Sequence, residues 1–174
     1  RMFRFSLIAL TTVSLATSAY ADVVFDRDVM AVLSKAGCNA GTCHGNHHGK
    51  GGFKLSLRGE DAAFDFAAMT RDQSGRRVNA NDPDQSLLLL KPAMQVPHQG
   101  GRRFTRDSPE YQILREWIAA GASRAEVAAK VTRLIVEPRD VVVTDPADHV
   151  ELKVRAEFSD GSFRDVTRLA TYEP

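Results

Sequence analysis

Hydrophobic side chains recur at helical spacing in the chain up to residue 122. A helix is predicted over 26–36, with Gly37 ending it. Its apolar face is formed by Phe25, Val29, Val32 and Leu33. A second helix is predicted over 107–122, with Ser108 as N-cap and Pro109 at the first helical position. Its apolar stripe is formed by Tyr111, Leu114, Trp117 and Ile118.

The segment between these helices is predicted to be mainly loop. Residues 45–52 are rich in glycine, and 92–107 contain prolines and glycines that interrupt regular structure. A short helix is expected near 61–69 and a buried apolar run over 86–90. Residues 22–122 are therefore predicted to form a mainly α domain with long loops.

The periodicity changes to two in the last part of the chain. Strands are predicted over 132–136, 141–144, 150–156 and 163–167, with a hairpin turn at 159–162. An immunoglobulin-like sandwich needs about seven strands and ~100 residues. Residues 131–174 are therefore predicted to be the truncated N-terminal part of an all-β Ig-like sandwich, with 123–130 as the linker.

The N-terminus has the three parts of a secretory signal. Arg1 and Arg4 precede an apolar stretch over 5–16, and Ala19-Tyr20-Ala21 matches an Ala-x-Ala cleavage site. The alternative is a membrane anchor, but the apolar run is shorter than the ~20 residues of a spanning helix. We expect 1–21 to be a signal peptide, the mature chain to have no membrane span, and its location to be the periplasm or cell surface.

Composition supports a soluble globular protein. Of the 174 residues, 26% are charged and 43% hydrophobic, and the formal net charge is +1. This balance gives no excess charge to attract nucleic acid, so none is expected as a partner. No P-loop, Gly-x-Gly-x-x-Gly or Ser-His-Asp arrangement is present, which disfavours nucleotide-binding and hydrolase functions.

The most informative stretch is the heptapeptide Cys38-Asn39-Ala40-Gly41-Thr42-Cys43-His44. A Cys-x-x-Cys-His run marks covalent attachment of haem c, with thioethers to both cysteines and the histidine as proximal iron ligand. Here four residues separate the cysteines instead of two. They are small, and Gly41 can take a positive φ, so a bulge that absorbs the extra residues costs little.

Two alternatives use the same thiols. Cys38 and Cys43 could form a disulfide if a loop brings them together. They could also bind zinc or copper with His44, His47 or His48. Haem is favoured because it alone uses both thiols and the adjacent histidine.

Residues 22–122 resemble the planctomycete-type cytochrome c domain, and 131–174 resemble the start of a bacterial group-2 Ig-like domain. The resemblance is carried by the segments 38–44, 49–59, 86–91, 97–101 and 117–121. It implies covalent haem c, electron transfer with an unidentified redox partner, and further domains after residue 174 in an exported protein. The fold class it implies is a mainly α cytochrome c-like domain followed by a partial Ig-like sandwich.

The second axial ligand is left open by the sequence. Relatives with haem often carry Met-Pro-Pro before the Gly-Gly that precedes the last helix, whereas this chain has Val96-Pro97-His98. Met94 and His98 are therefore both candidate distal ligands. We favour His98, because imidazole is the stronger ligand and Pro97 stiffens its approach.

The same domain is locally basic. The cations that make it so include Lys50, Lys54, Arg58, Arg71, Arg76, Arg77, Arg102 and Arg103. They form either a solvated face, a docking surface for an acidic redox partner, or contacts to the haem propionates. Arg102 and Arg103 are the preferred propionate contacts, because they adjoin the loop that carries the candidate distal ligand.

Three functions follow from these patterns. The leading hypothesis is an exported electron-transfer module with covalent haem rather than an enzyme by itself. Part of a haem-dependent redox enzyme, such as a peroxidase, is the second. The third is a structural or adhesive surface protein with a Cys38–Cys43 disulfide and no haem.

Overall fold

The computed structural model describes residues 23–125, 129–145 and 149–172. The predicted signal peptide and part of the predicted linker lie outside the described residues. Within them, short helices joined by long loops come first, and a small antiparallel sheet follows. No helix in these ranges has the length and apolar composition needed to cross a bilayer.

The predicted helices form close to their expected positions. A π-helical turn at Phe25–Val29 runs directly into α1, Met30–Lys35. Helix α2 spans Ala62–Thr70, and the apolar run after 86 folds as the short helix α3, Leu87–Leu90. Short 3₁₀ turns lie at Leu57–Gly59, Asp72–Gly75 and Pro83–Gln85. The predictions of helices over 26–36 and 61–69 are confirmed to within a few residues.

Helix α4, Pro109–Ala119, forms for the local reasons that the sequence supplies. The Ser108 hydroxyl accepts a hydrogen bond from the Tyr111 amide at 3.2 Å. Trp117, at 1% exposure, packs on Phe25 with ring centroids 5.3 Å apart. Phe66 from α2 meets Phe25 edge-on at 5.1 Å. This aromatic cluster joins the π-helical turn before α1 to α2 and α4, in one core that supports the loops between them.

The later part of the chain folds as one three-stranded antiparallel sheet within the described residues. The strands are β1, Val131–Glu137, β2, Lys153–Phe158, and β3, Phe163–Asp165, in that order. The predicted hairpin turn joins β2 to β3, with the Gly161 amide donating to the Phe158 carbonyl at 2.9 Å. The partial sandwich remains a prediction, because the described strands belong to a single sheet.

The prediction of a strand over 141–144 is wrong. These residues are described without regular secondary structure, and Val142 is 86% exposed. Their β-branched side chains favour extended backbone, but a strand also requires a neighbouring strand to complete its hydrogen bonds. No described strand pairs with this segment.

One face of the sheet packs against the helical part. Val154, Ala156 and Phe158 are buried on alternate positions of β2. From β3, Arg164 donates to the buried Asp28 carboxylate at 2.6 Å. The Lys35 ammonium donates to the Ala170 carbonyl at 2.7 Å, at the other end of the contact. The sheet is therefore anchored to the helix that leads into the cysteine motif.

Asp28 is the centre of this anchor, and its removal is expected to be costly. It is 1% exposed and accepts from the Val24 amide at 2.9 Å as well as from Arg27 and Arg164. Asp28→Ala removes the buried carboxylate that Arg27 and Arg164 both contact. We expect the free energy of unfolding, measured by urea titration, to fall by about 2–3 kcal/mol. This is below the ~3–5 kcal/mol of fully buried pairs, because the arginines are partly exposed.

Asp26 offers a matched control for Asp28. It pairs with Arg124 at 2.6 Å, but in an exposed setting. Asp26→Ala is expected to cost less than about 1 kcal/mol. Equal losses in the two variants would contradict the anchoring role of Asp28.

Candidate functional site

The cysteine motif folds as a compact loop at the end of α1. The Cys38 amide donates to the Leu33 carbonyl at 2.8 Å, so the first cysteine continues directly from the helix. Across the motif, the His44 amide donates to the Cys38 carbonyl at 3.0 Å. The Cys43 amide closes a smaller turn onto the Ala40 carbonyl at 2.9 Å. The two extra residues are therefore absorbed in a hydrogen-bonded turn. The two cysteine thiols and the His44 imidazole stay close to one another.

The loop does not use the glycine that the sequence suggested. Gly41 has no positive φ, so our expectation for this residue is wrong. The backbone of the loop approaches itself closely at Gly45, where an added Cβ would overlap the Asn39 carbonyl oxygen. Asn39 itself is buried and donates to the Ser34 hydroxyl at 2.9 Å. The turn is held by backbone contact and by this side chain rather than by a left-handed residue.

His44 is held by its Nδ1 atom. Nδ1 lies 2.8 Å from the Phe53 carbonyl oxygen, and the two rings pack with centroids 4.7 Å apart. A carbonyl only accepts, so Nδ1 carries the proton and Nε2 carries the free lone pair. Burial lowers the pKa of His44, and the backbone hydrogen bonds to Phe53 and Lys50 oppose this only in part. The lowered pKa favours the neutral imidazole, the form that can bind a metal.

His98 is held in the same way on the other side of the cavity. Its Nδ1 lies 2.9 Å from the Gly101 carbonyl oxygen, which leaves Nε2 as the free lone pair. Gly100 lies against the ring, and a Cβ there would come within 2.8 Å of Cε1. Two histidines from distant loops thus present the same atom and the same backbone support.

The two imidazoles lie close together in the fold. Their ring centroids are 6.4 Å apart and their planes are 16° from parallel, in a stacked arrangement. Both rings are therefore within reach of one occupant of the space that they line.

A cavity of about 380 Å³ contains both imidazoles and both thiols. This volume lies within the ~300–1,000 Å³ typical of small-molecule and cofactor sites. Its apolar wall is formed by Val32, Leu33, Met69, Leu88, Phe104 and Leu114. Five of its lining residues are Lys or Arg, and none is Asp or Glu. The cavity thus combines an apolar interior with groups that attract negative charge.

Both thiols are free in this structure. Burial raises the pKa of Cys38 to about 11, although the charge of Arg103 opposes the shift. Cys43 is buried and accepts a hydrogen bond from Arg103 Nη2 at 3.1 Å. Both groups line the cavity, so both sulfurs are available to an occupant.

The remaining predicted residues divide between the cavity and its surroundings. Arg103 lines the cavity, whereas Arg102 is exposed and lies outside the lining. Met94 is 44% exposed, has a φ of 57°, and is also absent from the lining. His98 and Met94 are therefore placed differently, and the loop brings only His98 to the cavity.

Sequence reasoning did not single out Arg77 among the basic residues. It lines the cavity at 6% exposure, with its guanidinium carbon 4.4 Å from the centre of the Phe53 ring. Burial lowers the pKa of Arg77, and the nearby charge of Asp72 partly offsets this. No sequence signal could have found it, because its place in the cavity wall depends on contacts with Gly52, 25 residues earlier in the chain, and with the neighbouring Phe53.

Haem fits the residues present. The donors line one cavity, but among the described residues no group of three or more His, Cys, Asp and Glu is placed to hold a single ion. A zinc or copper site needs such a group. An extended cofactor with two points of covalent attachment and a central metal suits donors spread in this way.

Comparison with family models, curated proteins and solved structures finds no match to this chain. The site therefore rests on its own geometry: two thiols, two supported imidazoles and a basic, partly apolar cavity.

Proposed function

We propose that this protein binds haem covalently through Cys38 and Cys43 and transfers single electrons. The observation that carries the proposal is the convergence of both thiols, His44 and His98 on one cavity. Both imidazoles hold Nδ1 on a backbone carbonyl. This support is the usual arrangement of metal-binding histidines, because it fixes the tautomer and the ring orientation.

The chain supplies attachment, ligation and exclusion of water. Each thiol adds its sulfur to one carbon of a haem vinyl group and its hydrogen to the other, so a thioether forms without an oxidant. His44 and His98 would hold the iron as proximal and distal ligands. Bound haem supplies an iron that cycles between the ferrous and ferric states. The apolar wall keeps water from the buried part of the site, and the basic lining favours negatively charged groups.

Ligation by two histidines favours electron transfer over peroxide chemistry. A peroxidase requires an open position on the iron, and His98, which lines the same cavity as His44, would fill that position. The predicted signal peptide places this activity outside the cytoplasm, in the periplasm or at the cell surface. An acidic redox partner suits the cations around the cavity.

Covalent attachment is tested directly in a host that attaches haem c. The exported protein is denatured, extracted with acid–acetone and measured by absorbance. We expect haem to stay with the wild-type polypeptide and to be lost from the Cys38→Ala, Cys43→Ala double variant. A His47→Ala, His48→Ala variant is the matched control, because both residues are exposed beside the motif. It is expected to retain haem.

The same experiment can also contradict covalent attachment of haem. A wild-type polypeptide without haem, whose thiols react with an alkylating reagent only after reduction, would overturn the proposal. The protein would then be a disulfide-bearing surface protein, and the cavity would need another explanation.

A further inference from the structure

The wall of the cavity holds the buried guanidinium of Arg77, which is near the charge of Asp72 but forms no ion pair with it. Arg77 donates from Nη1 to the carbonyls of Ala68 at 3.0 Å and Asp72 at 3.2 Å. Its Nη2 donates to the Gly52 carbonyl at 3.5 Å. Within the described part of the chain, Arg77 forms no ion pair with a carboxylate. A buried charge without a counter-charge is unfavourable, so an anionic group in the cavity would stabilise it.

The donors of Arg77 are only partly used. A guanidinium has five N–H groups, and the three hydrogen bonds to carbonyls use three of them. Among the described residues, Nε–H and one N–H of Nη2 have no acceptor. A carboxylate binds two N–H groups of one guanidinium at once. The stacking of Arg77 on Phe53 holds the planar guanidinium, and so this pair of N–H groups, in place for such a contact.

The position of Arg103 disfavours the same role for that residue. Haem carries its vinyl groups on one half of the ring and its two carboxylates on the opposite half. Arg103 Nη2 lies 3.1 Å from Cys43 Sγ, where a vinyl group would be attached. Among the described residues, no hydrogen bond joins Arg77 to either cysteine, and Arg77 packs on Phe53, whose carbonyl supports His44. The two arginines therefore lie against different groups of the cavity, Arg103 against Cys43 and Arg77 against Phe53.

We propose that Arg77 binds a haem carboxylate through two parallel hydrogen bonds, and that Arg103 contacts the thioether half instead. This inference rests on the proposed function. It differs from the sequence prediction, which chose Arg102 and Arg103 for the carboxylates.

The test uses the full haem-loaded chain and three readouts: covalent haem in the denatured protein, the haem-carboxylate bending band in resonance Raman spectra, and the reduction potential. Arg77→Gln is expected to retain covalent haem, shift the Raman band and lower the potential. Arg102→Gln is the matched control, because it removes the same charge from an exposed position outside the cavity. It should leave the band in place and shift the potential less.

Two further variants separate the loss of the two hydrogen bonds to the carboxylate from the loss of charge and from a failure to fold. Arg77→Lys keeps the positive charge but cannot donate two parallel hydrogen bonds to one carboxylate. The haem-carboxylate Raman band should therefore shift, while the reduction potential stays nearer the wild-type value. Arg103→Gln should leave the band in place. If Arg77→Gln fails to accumulate, these two variants still decide the question.

Two results would overturn the assignment: an unmoved band in Arg77→Lys, or a shifted band in Arg103→Gln. A wild-type protein without covalent haem would contradict the proposed function itself, so the two failures are distinguishable.

Discussion

His98→Met is expected to raise the reduction potential of the haem-loaded protein by on the order of 100 mV or more, within the ~0.8 V that axial ligands span. Thioether sulfur raises the potential of haem iron relative to imidazole. Residue 98 is a suitable place for a methionine ligand, because His98 lines the same cavity as His44 and the ring centroids are 6.4 Å apart. A redox titration followed by absorbance measures the shift.

The spectrum of the oxidised protein gives a second, independent readout. Wild-type protein with two imidazole ligands should lack the charge-transfer band of a methionine–iron bond, and His98→Met should gain it. His98→Ala should open the sixth position, change the iron to high spin and allow added imidazole to bind. Covalent haem should survive in both variants, because neither thiol is altered.

Met94 is the matched control, since the sequence leaves it as the other candidate ligand. Its side chain is 44% exposed and outside the cavity lining. Met94→Ala should therefore leave the potential and the spectrum unchanged. A methionine–iron band in the wild type that disappears in Met94→Ala would show that His98 is not the ligand.

The contrast between these two residues shows what the sequence can and cannot predict. Both residues lie in one loop. The chemistry of the two side chains favours His98 as the distal ligand but does not exclude Met94. The difference comes from the conformation of the loop in the folded chain, which sets His98 on the Gly101 carbonyl and lines the cavity with it, while Met94 takes a left-handed conformation at an exposed position outside the lining. Helix α4, in contrast, is determined by Ser108 and Pro109 next to its start, and its prediction is confirmed.

Long-range contacts account for the other differences. The strand expected over 141–144 required a partner strand, which β-propensity alone does not reveal. Arg77 reaches the backbone of Gly52, 25 residues earlier in the chain, and so cannot be distinguished locally from exposed basic residues. Motif chemistry places Cys38, Cys43 and His44 together, whereas the opposite wall of the cavity emerges only in the folded structure.

Gly49→Ala is expected to prevent correct placement of His44 and to reduce covalent haem at least tenfold. A Cβ at residue 49 would overlap the Phe53 carbonyl oxygen and come within 2.6 Å of Lys54 Cα. That carbonyl is the one that holds His44 Nδ1 at 2.8 Å. Backbone atoms surround the added methyl group, so no side-chain rotation relieves the contact.

The destabilisation expected from Gly49→Ala exceeds what backbone strain at residue 49 alone would produce. Gly49 has a φ of 67°, which costs a non-glycine residue roughly 1–2 kcal/mol. Overpacking against backbone adds typically ~1–3 kcal/mol, and about 1.4 kcal/mol corresponds to a tenfold change in an equilibrium constant. A shift of this size moves the Phe53 carbonyl from His44 and withdraws the support that fixes the imidazole.

Gly51→Ala separates the two contributions. Gly51 has nearly the same φ, 63°, but nothing lies within 4 Å of a Cβ built there. This variant carries the strain without the overlap, so it should lose about 1 kcal/mol of stability and retain covalent haem. Haem content and thermal unfolding of the two variants are compared side by side. Equal haem loss would mean that left-handed backbone, rather than contact with the Phe53 carbonyl, is what the loop requires from glycine.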